Sequence, residues 1–420
     1  MRRLSTAVIG AWLLLPGACG DAASLEHPEA GVASDPDASR SAADGGAPVD
    51  AAWSADAGRD ADRDASLPDA SLPDASLADG SPPPIDAPPD APLTLTVFPR
   101  VGAPGDDGAL PHGPGSILMG GGVDVDSAFV WMHSTITGAA STRGGDVVVL
   151  RAAGDNAYDA YVYGLAAFNS VQTLLIPPQA GPADFAFAAG IVSRAEAVFF
   201  AGGNQANYVA WNGSPLMAAV QHTYDRGGVI GGTSAGCAIL GSFVYDAVAA
   251  GSNNVQTADA IANPYEPALS FTRGMLRFPS LAGVVTDPHF HNRDRMGRLA
   301  AFMARQVADG AATNVVGVGV DEGNALVVDP SGHARLLQQR AGTGAAFVAR
   351  GSAADQCAPG RPLVYRGLTV MRLDTDGQTY DFARGCGDGN AFSLGVFGDA
   401  PPPYAPSDPY GASGTAARCP

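Results

Sequence analysis

The chain contains one pentapeptide built for nucleophilic chemistry, Gly232-Thr-Ser234-Ala-Gly236. A G-x-S-x-G run describes a short apolar strand, a sharp turn and the start of a helix. The serine of such a turn sits in strained backbone, and side chains on either side would collide with strand and helix, so Cβ-free neighbours are required. Ser234 Oγ is therefore expected to project from the carboxyl end of a strand. The helix behind it begins with free N–H groups that can face a developing oxyanion.

A serine nucleophile needs a base within hydrogen-bond reach and an acid that fixes the tautomer of that base. The chain has seven histidines. His27 lies in the N-terminal region, and His112, His133, His222 and His333 fall outside the strand ends that the pattern defines. His289 and His291 follow the apolar run 282–286 directly, and His289 is the better base. For the acid, Asp259 and Glu266 lie between nucleophile and base, and Asp246 is expected to face solvent. Asp259 is preferred, giving the order Ser…Asp…His, with Glu266 left open.

These groups must be carried by a scaffold, and the pattern is that of an α/β fold. Ser116-Ile-Leu-Met119 enters the turn Gly120-Gly-Gly122, and a helix is expected around 124–138. Apolar strands follow at 146–150, 171–176 and 197–201, with a helix over 185–192. Ser214-Pro215 caps and begins a helix with Leu216, Met217, Val220 and Tyr224 on one face. Strands alternating with helices imply a mostly parallel sheet covered on both faces. Ligands of such sheets collect at the carboxyl ends of the strands. Three glycine turns lie there: Gly120–Gly122, Gly202–Gly203 and the serine turn. After the strand 282–286, a helix should bury Met296, Leu299, Ala300, Met303 and Val307. Arg293, Arg295 and Arg298 fall near its first turn, where the helix dipole is already positive. Asp287, Asp294, Glu322 or a substrate carboxylate must compensate.

The N-terminus reads differently. Met1-Arg2-Arg3, a short apolar run from Ala7 to Leu15 and then Pro16-Gly-Ala-Cys19 form an export signal over residues 1–19, one that admits a lipid on Cys19. The apolar run is too short to span a bilayer. Residues 20–95 form an Asp/Ala/Pro/Ser-rich linker with no apolar period. Between residues 21 and 95 stand 16 acids against three arginines, which accounts for −13 of the formal charge of −18. The acidity therefore belongs to a solvated spacer. No basic stretch is present, which argues against nucleic-acid binding. Membrane association would come only through Cys19. A folded α/β domain is expected over 96–395, with a Pro/Gly-rich tail over 396–420. Among five cysteines, Cys237 reads as a buried core thiol. Cys357, Cys386 and Cys419 allow three pairings, of which Cys357–Cys386 is preferred because both lie in the folded part.

Four blocks together resemble the cyanophycinase family of serine peptidases: Phe200-Ala-Gly-Gly-Asn-Gln205, Gly231-Gly-Thr-Ser-Ala-Gly236, Asp287-Pro-His289-Phe-His-Asn-Arg293-Asp-Arg295-Met-Gly-Arg298 and Gly317-Val-Gly-Val-Asp321-Glu322-Gly. That family is related to dipeptidase E, and the resemblance covers about 115–350. It implies a class I glutamine amidotransferase-like fold, here with a β-rich C-terminal extension. It also implies Ser234 as nucleophile, His289 as base, and an oxyanion hole from the amides of Ala235 and Gly203. Gln205, Asp287, Arg293, Arg295, Arg298 and Glu322 match pocket positions. The substrate implied is a peptide or a cyanophycin-like polymer with β-aspartyl-arginine units, the arginines holding α-carboxylates and Glu322 a guanidinium. No cofactor or metal is implied, and a homodimer stays open. The chain has Pro288 where the family has Gln, and its spacing from Ser234 to His289 is longer. Two other readings compete. In a metallohydrolase, Asp287, His289 and His291 would hold zinc along one strand face. In a binding protein, the fold would persist without turnover.

Overall fold

A computed structural model describes residues 92–251, 254–414 and 419. The expectations for the export signal and for nearly all of the linker lie outside the described residues. Within them, the fold is α/β, as the sequence pattern implies. Among the described residues no helix is long and apolar enough to cross a membrane.

The strands form two sheets. The first holds β1 (Thr96–Val97), β2 (Val101–Gly102), β3 (Gly115–Met119), β4 (Asp146–Arg151), β5 (Ser170–Leu175), β6 (Ala197–Phe200) and β7 (Val229–Thr233). Its centre, in the order β5-β4-β6-β7-β3, is parallel throughout. The second sheet begins with β8 (Phe243–Tyr245), β9 (Phe271–Arg273), β10 (Val284–Pro288) and β11 (Val315–Val320). The chain then returns to the first sheet with β12 (Asn324–Val328) and β13 (His333–Gln338), which add antiparallel to β3. Next, β14 (Ala346–Gly351) and β15 (Val364–Leu373) extend the second sheet, and β16 (Thr379–Asp381) and β17 (Cys386–Gly387) the first. Last come β18 (Asn390–Phe397) and β19 (Tyr404–Ala405), at the edge of the second sheet.

The period of two along each parallel strand explains why both faces of the first sheet are covered. Val147 and Val149 of β4 and Phe199 of β6 face one core, shared with α1 (Asp126–Thr137) and α2 (Ala157–Leu165). Val148, Leu150 and Phe200 face the other, shared with α3 (Pro182–Val192). Helix α4 (Gln205–Val209) is capped by Asn204, whose Oδ1 accepts the Ala206 N–H at 2.9 Å. Helix α5 (Pro215–Asp225) starts at Ser214, whose Oγ accepts the Met217 N–H at 3.4 Å. The serine turn leads into α6 (Ala235–Ala238), and α7 (Thr257–Ala262) lies in the long excursion before β10. Helix α8 (Met296–Ala308) buries Met296, Leu299, Ala300 and Met303 against the second sheet, with Val307 packed at the border. Strand β11 serves two neighbours at once. Val318 and Val320 belong to the core shared with the first sheet, whereas Gly317 and Gly319 face α8 and Phe290. A Cβ on Gly319 would meet the Phe290 ring at 2.4 Å.

Four expectations are corrected. The single sheet implied by alternation is two sheets: β8–β11, β14, β15, β18 and β19 pair among themselves, while β12, β13, β16 and β17 join the first sheet. The boundary at 395/396 cuts through β18, and the stretch beyond it is folded in rather than a loose tail: β19 pairs with β18, and Tyr404 is buried. Asp246 does not face solvent; it is buried, accepting the Thr272 hydroxyl at 2.9 Å and the Val248 N–H at 3.0 Å. The disulfide joins Cys386 to Cys419, not to Cys357. Cys357 packs against the core around α8, while Cys386 sits on the first sheet in β17. Cys237 is a buried free thiol, as its position implied, and burial pushes its pKa up. Peptide mapping under non-reducing conditions should recover Cys386 linked to Cys419, with the buried Cys237 alkylated only after unfolding; a Cys357-linked peptide would contradict this pairing.

Candidate active site

The site forms where the chain passes between the two sheets. Ser234 directly follows β7 of the first sheet, His289 directly follows β10 of the second, and Glu322 lies in the turn through which β11 of the second becomes β12 of the first. Ser234 has φ 53° and ψ −120°, a conformation a non-glycine residue adopts only under tertiary constraint. The flanking glycines allow it. A Cβ on Gly232 would lie 2.5 Å from the Gly236 carbonyl carbon, and one on Gly236 would lie 2.1 Å from the Phe200 oxygen. His289 is strained as well, at φ 48°, and its N–H is held by the Gly120 carbonyl at 2.8 Å.

The three side chains form a continuous relay. Ser234 Oγ lies 2.7 Å from His289 Nε2. His289 Nδ1 lies 2.6 Å from Glu322 Oε1. An ionised carboxylate only accepts, so Nδ1 carries the proton and Nε2 is left to accept from the serine hydroxyl. Asn292 Nδ2 donates to Glu322 Oε2 at 3.1 Å and orients the carboxylate. Asp321 pins the two turns together, accepting the His291 N–H and the Ala345 N–H, both at 2.8 Å. Burial pushes the His289 imidazole down, and the Arg293 charge pushes the same way. The Glu322 hydrogen bond opposes them, Arg295 adds to the lowering, and the ring settles at about 4.

The acid is therefore not Asp259. That residue lies exposed in the first turn of α7. Glu266, the other candidate, is half-buried in the loop after α7. The Glu322 carboxylate, assigned by resemblance to a substrate guanidinium, is engaged by His289. The order along the chain is Ser…His…Glu. Strand-end placement, the same signal that marked Ser234 and His289, also marks Glu322, which follows the apolar strand 315–320. It was missed because the acid was sought between nucleophile and base.

An open cleft of about 360 Å³ adjoins the serine, lined by Gly203, Gln205, Ser234, Ala235, Asp287, His289, Arg293, Arg295 and Arg298 among others. The fold thus brings together nearly all residues expected there; Tyr245, Asn254 and Thr286 were not anticipated. Ala235 and Gly203 both line this cleft. Asp287 does not face the cleft alone as a free carboxylate. Arg298 Nε donates to its Oδ2 at 2.8 Å and Arg298 Nη2 to its Oδ1 at 2.6 Å, and Arg295 Nη1 reaches Oδ1 at 3.3 Å. Arg298 Nη1 also donates to Asn254 Oδ1 and to the Val255 carbonyl, at 3.1 and 2.9 Å. Asp287 and Arg298 form a buried ion pair in the cleft wall, and removing one partner of such a pair costs roughly 3–5 kcal/mol. Arg295 is buried beside Arg298, and burial together with that charge lowers its pKa to about 9. It stays charged near neutrality, leaving the cleft wall electropositive.

The zinc arrangement does not form from the expected donors. Asp287 points at arginines, His289 at Ser234 and Glu322, and His291 stacks on Tyr410 with ring centroids 4.4 Å apart. Among the described residues no group of three or more His, Cys, Asp or Glu side chains is gathered for a metal ion. His133 is buried in the core against Phe168, and His333 pairs with Asp381 on the surface.

No family model matches the sequence. The cyanophycinase of Synechococcus elongatus is 31% identical over 148 residues, 35% of this chain and 40% of that protein. The cyanophycinase of Geminocystis herdmanii is 30% identical over 138 residues, 32% of this chain and 44% of that protein. The chain thus spans about two fifths of the length of the curated relatives it matches. A solved peptidase from an acI-B1 Actinobacterium overlays with a TM-score of 0.40 at 14% identity, covering 64% of this chain and 98% of that one. Over the matched segment, this chain is similar to the cyanophycinases.

Proposed function

We propose that this chain is a serine-type hydrolase of peptide or β-aspartyl isopeptide bonds, working through an acyl-enzyme. The observation that carries the reading is the unbroken line Ser234 Oγ–His289 Nε2–Glu322, at 2.7 and 2.6 Å, beside an electropositive cleft. His289 Nε2 takes the hydroxyl proton as Ser234 Oγ attacks the carbonyl carbon. The amides of Ala235 and Gly203 receive the oxyanion. The imidazolium then gives its proton to the leaving amine, and a water activated by the same ring releases the acid and frees Ser234. Glu322 holds the tautomer and stabilises the imidazolium.

Arg293 lines the cleft and carries the charge that suits a substrate carboxylate, with the Arg295–Asp287 pair behind it. With Asp287 bound to arginines, the cleft wall offers no unengaged carboxylate to a guanidinium among its described lining residues. This favours β-aspartyl peptides over the arginine-bearing units of a cyanophycin-like polymer. Both should be offered to the purified chain. β-Aspartyl dipeptide cleavage, abolished in Ser234→Ala, is the expected result; the reading would be abandoned if Ser234→Ala hydrolysed the substrate as fast as the unaltered chain.

Glu322→Gln should lower kcat by roughly 10²–10⁴-fold, while Asp259→Asn changes it little. The reverse ranking would return the acid to α7. The base works as the neutral ring, and a lowered pKa keeps that ring neutral to lower pH. The acid limb of kcat/KM should therefore fall near pH 4, well below the ordinary histidine range. A limb centred at or above about 6.5 would show that the ring is not held as described.

We further propose that residues 1–19 direct export, with Cys19 as the lipid attachment point. Cell fractionation of the full chain and of Cys19→Ser tests this: membrane-bound full chain and soluble exported variant are expected, and a cytoplasmic full chain would refute it.

A further inference from the structure

The loop that carries the base is braced by the C-terminal segment beyond β18. Helix α8 starts immediately after this loop, and its first N–H groups need partners. No acidic side chain stands in its first turn. Instead, Met296 N–H donates to Tyr410 Oη at 2.9 Å, Gly297 N–H to Tyr404 Oη at 3.2 Å, and Arg298 N–H to Thr257 Oγ1 at 3.3 Å. Both phenols in turn donate to Asp294 Oδ1, at 2.9 and 3.2 Å. A carboxylate thus reaches the helix terminus through two hydroxyls, and both come from the last stretch of chain. Asp294 sits at φ 46° in the middle of the base loop.

Tyr410 does more than cap. Its ring lies flat on His291, with centroids 4.4 Å apart and planes 14° apart, and edge-on to Phe290 and Phe347 at 6.0 and 5.8 Å. His291 and Phe290 directly follow His289. The Tyr410 carbonyl accepts from Arg372 Nη1 at 2.6 Å, which anchors the segment to β15. A Cβ on Gly414 would lie 1.9 Å from the Ala391 carbonyl oxygen, so the chain still hugs β18 four residues later. Cys419 is then tied covalently to Cys386.

We propose that Tyr410, held in this anchored C-terminal strap, is a positioning residue for His289: it fixes residues 289–296 so that the imidazole stays aligned between Ser234 and Glu322. This rests on the hydrolase reading. The groups facing His289 are Glu322 from the β11–β12 turn and Arg293 and Arg295 from its own loop. If the strap is released, the ring hydrates and its pKa rises toward that of a free histidine.

The test uses the full chain and a fluorophosphonate reagent, which reports nucleophilicity at Ser234 without a known substrate. The adduct is located by mass spectrometry, and the labelling rate is measured against pH. Tyr410→Ala should label about tenfold or more slowly, with its pH midpoint moved up by about one unit or more. Tyr410→Phe keeps the ring but not the hydroxyl, and should recover most of the rate. Tyr380→Phe removes a buried phenol from β16, where it meets Arg350, and should change neither quantity. If the unaltered chain labels at Ser234 and Tyr410→Ala matches it in rate and midpoint, the positioning role is wrong and the hydrolase reading survives. If Tyr410→Ala does not fold, Cys419→Ser, which frees the covalent end of the strap, should slow labelling and raise the midpoint, and an unchanged rate and midpoint in it overturns the proposal. If the unaltered chain takes no label at Ser234, the hydrolase reading fails and the proposal with it.

Discussion

His289 is clamped from several sides, and the site follows from that. Its Nε2 meets Ser234, its Nδ1 meets Glu322, and its N–H is taken by Gly120. The remaining face lies against Gly121, where a Cβ would come within 2.4 Å of the imidazole Cε1. Gly121 also has φ 94°, a region closed to ordinary side chains. Its neighbours are just as tight. A Cβ on Gly120 would meet the Asp321 oxygen at 2.0 Å, and one on Gly122 would meet Glu322 Cβ at 2.9 Å. The Gly120–Gly122 turn is therefore a packing surface for the base and acid turns. It makes room for two loops from the second sheet to close on a nucleophile from the first.

Charge imposes a second constraint. Helix α8 begins with guanidinium groups where its dipole is already positive. Asp287, buried on β10, offsets one unit of that charge through Arg298 and Arg295. One carboxylate does not cancel two guanidinium groups, and the tyrosine relay from Asp294 supplies further acceptor character at the helix terminus. The remainder is expressed in the cleft. This arrangement is more economical than a surface cluster of ion pairs, which would be screened and weak; here the pairs are buried, so their geometry is fixed and their charge is felt by the imidazole.

Much of this was legible before any coordinates. The strained serine turn, the alternating parallel strands and the buried face of α8 all rest on local rules, namely glycine sterics and periodicities of two and 3.6. What was not legible depends on contacts between distant segments. Asp246 looked like a surface residue because nothing local shows that β9 returns to cover it. Cys386 could not be matched to Cys419 without knowing that the last residues run back along β18. Asp287 and Arg298 carry the chemistry of a binding site, yet their placement on adjacent elements turns them toward each other. Glu322 was recognised as a site residue but given the wrong partner, because sequence order says nothing about which strand end lies beside which.

Burial lowers the imidazole most, and the electropositive wall adds to that lowering. Arg293 and Arg295 disfavour a proton on His289 and, on the proposed reading, attract a carboxylate. Those two effects oppose each other once a substrate is in place. An anion against these groups offsets their field at the ring, so the imidazolium becomes easier to form at the moment when it must take the serine proton. In the empty cleft the ring stays neutral and poised; in the filled cleft the arginines' share of the lowering is offset, while the larger share due to burial remains. Binding energy at the carboxylate is thereby expressed at the reacting centre, through charge rather than movement. A substrate lacking that carboxylate would meet the same nucleophile with a weaker base, which gives the cleft a means of selecting by rate as well as by affinity.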